Sequence, residues 1–326
     1  MSLATSLLAQ SGWVAAARSP LREILQLGRP LARSYLQHIF TAGAQQWPVS
    51  QGLGVGHALV DGLLFGLGHG LPASATGQSF LWPYLFNASP LLPDVTPAAW
   101  TVCLLAAGLG LAVLLRSTWT ALWQSLRHPV TDPDALGEPT APPDWVALVA
   151  AIVPCLLLQW RLGPVGQRYE AAATVGIFLA LTGRILLWGE SRALRGLGRS
   201  PQVPPWLALI AGLLAGFGAL PGLSALAILI AAGLYGRVSG EGAARFGLMV
   251  ITVVLLLQGL VGLPGALGSL PAELLPLVVG ALLGAMAGGW LLLASMRLLR
   301  RRALPVIASY CTAMAGFLLL FGVFTR

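Results

Sequence analysis

The chain has 326 residues, of which 56% are hydrophobic and 9% are charged, and its formal net charge is +8. A soluble domain carries roughly 25% charged residues, so this composition excludes an ordinary globular domain and indicates a polytopic membrane protein. All 19 basic residues are arginine; arginines at helix ends favour contact with anionic lipid headgroups, so no nucleic acid partner is expected.

Residues 1–54 are predicted to form an N-terminal extension. Within it, residues 19–40 place apolar and polar side chains on opposite faces of a helix, interrupted by Pro30. This pattern predicts an amphipathic helix on the membrane surface, kinked near the proline. We expect it to be the docking site if the chain has a protein partner. Its arginines favour the cytoplasm, whereas the topology derived below places it outside, so the side of the extension stays open.

The first long apolar segment, 55–85, is interrupted by LPASATG at 71–77. Backbone groups freed by such a break cannot remain unpaired in lipid, so the break must face protein or a wet cavity. The segment also carries His57, Asp61 and His69. On a continuous helix, the first two of these are neighbours and the third lies about two turns farther on.

Ionisable residues in an apolar segment indicate a function by default, because they are costly to insert into the bilayer. The same three residues are therefore candidates for acid–base catalysis, and the alternative is a single structural hydrogen bond. Two imidazoles and one carboxylate do not complete a metal site, so no metal is expected. Cys103, Cys155 and Cys311 lie in apolar segments without close spacing and indicate small core residues.

Six further segments have the roughly 17–25 apolar residues that a transmembrane helix needs. They are 99–117, 145–162, 170–189, 242–262, 274–296 and 303–324. In the fifth of these, Gly280, Gly284 and Gly288 recur every four residues, which predicts close helix packing. The polar stretch 118–144 is predicted to be a solvated linker.

A second broken segment, 203–238, is interrupted by LPGLSALA at 220–227, and each broken segment is followed by three spans. This order predicts an internal repeat, with repeat one at 55–192 and repeat two at 203–326. Paired broken segments indicate a binding site near the repeat interface, and the alternative is an ordinary proline kink in each span.

The distribution of arginines predicts the orientation. If the span 99–117 ends in the cytoplasm, most arginines of 55–326 lie inside, and only Arg161, Arg168 and Arg326 lie outside. The first hairpin then enters from outside and the second from inside, which makes the repeat inverted. The sequence therefore predicts an all-α polytopic membrane protein with six transmembrane helices and two re-entrant helical hairpins.

The broken segments together resemble the undecaprenyl pyrophosphate phosphatase family, of the bacitracin-resistance type. FGLGHGLPASATGQ (65–78) is similar to the family's first motif, EGLTEFLPVSSTGH. PGLSALAILIAAGLYGRVSGEGAARFG (221–247) is similar to its second, PGxSRSG followed by a small-residue helix and an EEAARF-like stretch. RRRALPVIASYCTAMAG (300–316) is similar to its C-terminal motif. The resemblance covers 55–326 and implies the family fold, a bacterial cytoplasmic (inner) membrane and polyprenyl phosphate lipids as partners.

Most of the family's catalytic residues are replaced in this chain. Where the family has two glutamates, a serine, a histidine, an arginine, a serine and an arginine, this sequence has Phe65, His69, Ala75, Gln78, Ala225, Leu226 and Cys311. Pyrophosphate hydrolysis needs donors that stabilise the transferring phosphoryl group and a base or metal that activates the nucleophile. The resemblance therefore implies a divergent member that has lost most of the catalytic set.

Two sets of candidate site residues follow. The catalytic candidates are His57, Asp61, His69 and Ser74, and the ligand-binding candidates are Ser74, Thr76, Gln78, Pro221, Gly222 and Ser224. Ser224 is predicted to cap a half-helix whose free N–H groups can hold a phosphate. We expect a catalytically degenerate protein that binds or translocates a polyprenyl or other lipid phosphate, without a cofactor. The alternatives are an active phosphatase with a rearranged, metal-assisted site and an accessory subunit of a membrane complex.

Overall fold

A computed structural model describes residues 55–78, 81, 97–127, 144–166, 171–193, 202–266, 274–298 and 303–324. The predicted N-terminal extension and its surface helix at 19–40 lie outside these residues. The helices of the described part are α1 (Val55–Gly70), α2 (Pro97–Leu114), α3 (Arg116–Arg127), α4 (Trp145–Gly166), α5 (Ala172–Ala193), α6 (Pro205–Ala215), α7 (Ala225–Tyr235), α8 (Gly240–Ala266), α9 (Leu274–Leu298) and α10 (Ala303–Phe324).

The helices confirm an all-α polytopic membrane protein. In the described part, α4, α5, α8, α9 and α10 are each long and apolar enough to cross a bilayer. The pair α2 and α3 passes the same test together but bends by 73° at Leu115. With this pair contributing one span, the described helices give the six spans that the sequence predicts.

The bend after α2 corrects one expectation. Residues 118–127 belong to the amphipathic helix α3 and are not part of a solvated linker. Leu122 on one face of α3 is buried, whereas Trp123 is exposed and Arg127 lies over its ring at 4.9 Å. A short helix with an arginine and a tryptophan on its exposed face is typical of the membrane interface.

The second broken segment forms a helical hairpin. Its arms α6 and α7 have 11 residues each, about 16 Å, and are too short to cross a hydrocarbon core of about 30 Å. The 3₁₀ turn Gly216–Ala219 and the turn at 220–224 join them. A Cβ on Gly218 would lie 2.6 Å from the Cβ of Ala225, so this glycine lets the two arms meet.

The described part of the first broken segment, up to Gln78, turns back in the same way. After α1 the chain turns at 71–74 and begins a new helical turn at 75–78. A Cβ on Gly68 would lie 2.6 Å from the Cα of Ala75, which repeats the contact between Gly218 and Ala225. Both breaks therefore reverse the chain, and a simple kink explains neither.

The helix pairing is reciprocal between the predicted repeats. The first arm of each hairpin packs against the second span of the other repeat: α1 lies against α9, and α6 lies against α4. The first spans, α2 and α8, pack against each other, and so do the third spans, α5 and α10. This exchange is the pattern of a two-fold related pair of units, and the boundaries 55–192 and 203–326 stay predictions.

Glycines set the close approach of α1 and α9. A Cβ on Gly66 would lie 2.1 Å from the carbonyl oxygen of Ala281, and one on Gly284 would lie 2.1 Å from that of Leu63. Because neither position has room for a side chain, the backbones of the two helices are in direct contact. The close packing predicted from the glycine spacing is confirmed.

An ionic cluster ties three helix ends together. Glu241 in the first turn of α8 accepts hydrogen bonds from Arg245 at 2.8 Å and from Arg297, near the end of α9, at 2.7 Å. Arg245 also donates to Thr118 on α3 at 3.0 Å. These ends lie on the side that the arginine distribution assigns to the cytoplasm.

Candidate functional site

The tips of the two hairpins touch. The backbone N–H of Gly222 donates to the hydroxyl of Thr76 at 3.3 Å. A Cβ on Gly77 would lie 3.3 Å from the Cα of Gly222. Thr182 on α5 holds the second tip from behind, because its hydroxyl donates to the Gly222 carbonyl at 2.9 Å and accepts from the Ser224 N–H at 3.1 Å.

Each tip opens a helical turn with a capping serine. The hydroxyl of Ser74 accepts from the N–H of Gly77, and that of Ser224 accepts from the N–H of Ala227, both at 3.2 Å. Each tip also has one residue with positive φ, Ser74 at 61° and Gly222 at 93°. Ser224 thus caps α7 as the sequence predicts, and the first tip has the matching arrangement.

A cavity of about 780 Å³ lies where the tips meet. Its walls come from both tips and from α2, α4 and α8. The side chains with polar atoms that line it are His69, Ser74, Thr76, Trp100, Thr101, Gln159, Ser224 and Gln258. Among the described residues, no aspartate, glutamate, arginine or lysine lines this space, and the other lining residues are apolar or glycine.

His69 is the only titratable side chain on the described lining. Its Nδ1 donates to the carbonyl oxygen of Phe65 at 2.9 Å, which leaves Nε2 as the nitrogen with an acceptor lone pair. The imidazole also lies against the ring of Phe65, whose centroid is 4.4 Å away. Phe65 in turn meets Trp100 edge-on at 5.0 Å, so aromatic packing fixes the histidine ring.

Comparison with known proteins shows the family of this chain. The family model described as "Bacitracin resistance protein BacA" matches residues 58–317. The chain belongs to the BacA family. It is 31% identical over 268 residues to the undecaprenyl-diphosphatase of Syntrophotalea carbinolica, covering 80% of this chain and 96% of that protein. It is 26% identical over 272 residues to the undecaprenyl-diphosphatase of Desulfosudis oleivorans, covering 81% and 97%. The predicted family is confirmed.

Not all of the predicted site residues reach the cavity. His69, Ser74, Thr76, Pro221 and Ser224 line it. Gly222 lies at the contact between the tips. Gln78 is buried and occupied elsewhere: its amide nitrogen donates to Ala73 O at 2.9 Å, and its oxygen accepts from the hydroxyl of Tyr310. That amide ties the first tip to α10.

Asp61 lies apart from the cavity. It is 1% exposed, and neither carboxylate oxygen has a hydrogen-bond partner in the described part of the chain. Along α1 it is about 12 Å from His69. Phe65 lies one helical turn from each of them, so its ring separates the two side chains. The structure therefore does not bring Asp61 and His69 together. The side chain of His57 lies outside what the structure describes.

Two glutamines line the cavity that sequence reasoning did not single out. Gln258 on α8 donates to the side-chain oxygen of Gln159 on α4 at 2.6 Å. Gln159 also donates to the carbonyl of Ala215 at 3.4 Å. In the sequence, each of these glutamines is an isolated amide within an apolar span. An isolated amide in such a span indicates a buried polar contact or a binding site, as an ionisable residue there does.

The lining defines what the site can do chemically. Two hydroxyl-capped turns, an imidazole nitrogen and two amides offer neutral hydrogen-bond donors and acceptors. In the described residues, no three side chains of histidine, cysteine, aspartate or glutamate lie close enough to hold a metal ion. On the part of the lining that the structure describes, no pair of carboxylates and no arginine is present for a paired-carboxylate or arginine-clamp mechanism. The arrangement suits holding a polar headgroup.

Proposed function

We propose that this BacA-family protein of a bacterial cytoplasmic membrane binds or translocates a polyprenyl or other lipid phosphate without hydrolysing it. One observation carries the proposal: the cavity between the hairpin tips is lined, among the described residues, by neutral polar groups and one imidazole. Two capped turns beside the cavity support headgroup binding, and the described lining carries none of the charged groups that phosphoryl transfer uses.

The replaced family positions support the loss of hydrolysis. Phe65 is 1% exposed and packs against Trp100, and Cys311 is fully buried in a separate apolar cluster with Ala73 and Leu81. Ala225 does line the cavity but supplies only a methyl group. Losing one acid–base group typically costs ~10²–10⁴ in rate. Losing the acid, base and cation of one site together should slow hydrolysis by more than any one of these losses.

Phosphate binding does not need those charges. The first turn of α7, capped by Ser224, presents backbone N–H groups and the positive end of a helix dipole beside the cavity. Ser74 and Thr76 add hydroxyls from the opposite tip. The apolar wall, which includes Leu104, Ile251 and Val254, suits the first units of a prenyl chain.

The location of the cavity indicates from which leaflet of the membrane the lipid enters. Trp100 lies in the first turn of α2, Gly166 ends α4 and Gln258 lies in the second half of α8. These helix ends are opposite to the ionic cluster around Glu241. With the orientation predicted from the arginines, a lipid phosphate therefore enters from the outer leaflet.

Native mass spectrometry of the purified protein with undecaprenyl phosphate, and with undecaprenol as the unphosphorylated control, tests binding. We expect selective retention of the phosphate lipid. Ser224→Ala should weaken retention about tenfold because it removes the cap and one hydroxyl of the site. The matched control is Thr252→Val, which alters a buried hydroxyl of α8 that bonds within its own helix. Folded protein that retains neither lipid, or both equally, would contradict the proposal.

The alternative of an active phosphatase is favoured by two observations: the relatives named above are undecaprenyl-diphosphatases, and His69 lines the cavity. Its Nε2 is the one described group there that can accept a proton from a nucleophile. Phosphate release by protein that has been shown to bind the lipid separates the two functions.

A further inference from the structure

One face of α5 points away from the helix bundle and carries an arginine. Ile177, Leu181 and Trp188 on this face are 49%, 45% and 50% exposed. Arg184 lies between the last two at helical spacing and is also exposed. The opposite face of α5 packs against α10 and α7. Because α5 crosses the membrane, we assign this exposed stripe to the lipid.

Arg184 lies deep in the span. It is two residues from Thr182, which holds the second hairpin tip, and about 13 Å from the end of α5 at Ala193. Placing an arginine near the bilayer centre costs ~2.5–3.5 kcal/mol on insertion scales. No carboxylate in the described part of the chain forms an ion pair with it, and Glu241 is engaged by Arg245 and Arg297.

An aromatic pair lies one turn closer to the predicted cytoplasmic surface. The rings of Trp188 and Tyr235 stack with centroids 5.3 Å apart and an angle of 18°. Tyr235 ends α7, is 45% exposed, and is followed by the exposed Arg237. Exposed tryptophan and tyrosine mark the headgroup level of a membrane. Trp188 lies about 6 Å farther along α5 than Arg184, a distance that an arginine side chain extended along the helix can span.

We propose that Arg184, Trp188, Tyr235 and Arg237 form a binding site for the phosphodiester of an anionic phospholipid from the cytoplasmic leaflet. The charges are complementary, since the two charged side chains of the patch, Arg184 and Arg237, are both cationic. A guanidinium binds phosphate oxygens in a bidentate manner, which a zwitterionic lipid with its own ammonium exploits less well. The acyl chains then lie along Ile177 and Leu181. This site is on the opposite face of α5 from the hairpin tip and does not depend on the proposed function.

Native mass spectrometry with phosphatidylglycerol and phosphatidylcholine of identical chains tests this site. Wild-type protein should retain phosphatidylglycerol preferentially. Arg184→Gln should weaken that retention about tenfold, because it removes a charge-assisted contact. The matched control is Arg161→Gln, which removes an exposed arginine from the end of α4 on the other side of the membrane. It should bind phosphatidylglycerol as the wild type does.

Three results would overturn the site. One is equal retention of the two lipids by wild-type protein. Another is equal weakening in the Arg161 and Arg184 variants, which would indicate a general effect of charge. The third is a dimer that dissociates in Arg184→Gln, which would show that the stripe contacts a second copy. A melting temperature of Arg184→Gln in detergent equal to that of the wild type is the check that the variant is folded.

Discussion

The hydroxyl of Thr76 accepts a hydrogen bond from the backbone of Gly222, 146 positions away, at 3.3 Å. This contact joins the two places where the chain reverses inside the membrane. The helical turns capped by Ser74 and Ser224 begin beside it and line the same cavity. The cavity is therefore lined by both halves of the protein, which is the arrangement expected of paired broken segments.

Thr182→Val should destabilise the second hairpin tip. The variant keeps the shape of the side chain but leaves the Gly222 carbonyl and the Ser224 N–H without their buried partner. We expect the free energy of unfolding to fall by about 1–3 kcal/mol, measured by thermal unfolding in detergent. Binding of undecaprenyl phosphate should weaken as well, because the tip lines the cavity.

Thr174→Val on the same helix is the matched control. Thr174 is 3% exposed, and its hydroxyl has no hydrogen-bond partner in the described structure. Replacing an unsatisfied buried hydroxyl by a methyl should be neutral or stabilising. Equal destabilisation by the two variants would mean that the bonds from Thr182 do not hold the tip.

Gly284→Ala should force α1 and α9 apart. The new methyl group would lie 2.1 Å from the carbonyl oxygen of Leu63, which is backbone and cannot rotate away. Overpacking of this kind costs about 1–3 kcal/mol. Gly316→Ala in α10, where nothing lies within 4 Å, is the control and should stabilise by about 0.5–1 kcal/mol. An unchanged melting temperature in Gly284→Ala would show that the helices are less tightly packed than described.

Much of this fold could be predicted because lipid imposes strict rules on sequence. Span lengths, the two proline-containing breaks and the glycine spacing each follow from local chemistry. The bend at Leu115 could not be predicted in the same way. The amphipathic segment 116–127 has arginine, serine and threonine in its first turn, and by composition alone these resemble the start of a linker.

Asp61→Asn should leave lipid binding unchanged. The carboxylate lies outside the cavity, and in the described chain neither oxygen accepts a hydrogen bond that the variant would lose. The melting temperature should stay the same or rise, since the variant removes an ionisable group from an apolar site. His69→Gln, by contrast, changes a lining residue and should weaken retention of undecaprenyl phosphate. If Asp61→Asn lost binding while His69→Gln kept it, Asp61 would belong to the binding site and this prediction would be wrong.

Only part of the candidate site could be predicted from the sequence. Periodicity indicates that Asp61 and His69 lie on one helix, but it does not show which turn of that helix lies beside the cavity. The pairing of Gln159 with Gln258 depends on the contact of α4 with α8, which no local pattern reports. Ser74 and Ser224 could be predicted from the sequence because helix capping depends on local residues.

Phosphate release from undecaprenyl pyrophosphate tests the central claim most directly. The assay uses purified protein that has been shown to bind undecaprenyl phosphate, with Mg²⁺, with Ca²⁺ or with chelator. The double variant Asp61→Ala/His69→Ala is run beside it. We predict no release above the protein-free rate in any condition, together with retained binding. Release by the wild type that disappears in the double variant would contradict the claim and show an active phosphatase with a rebuilt site.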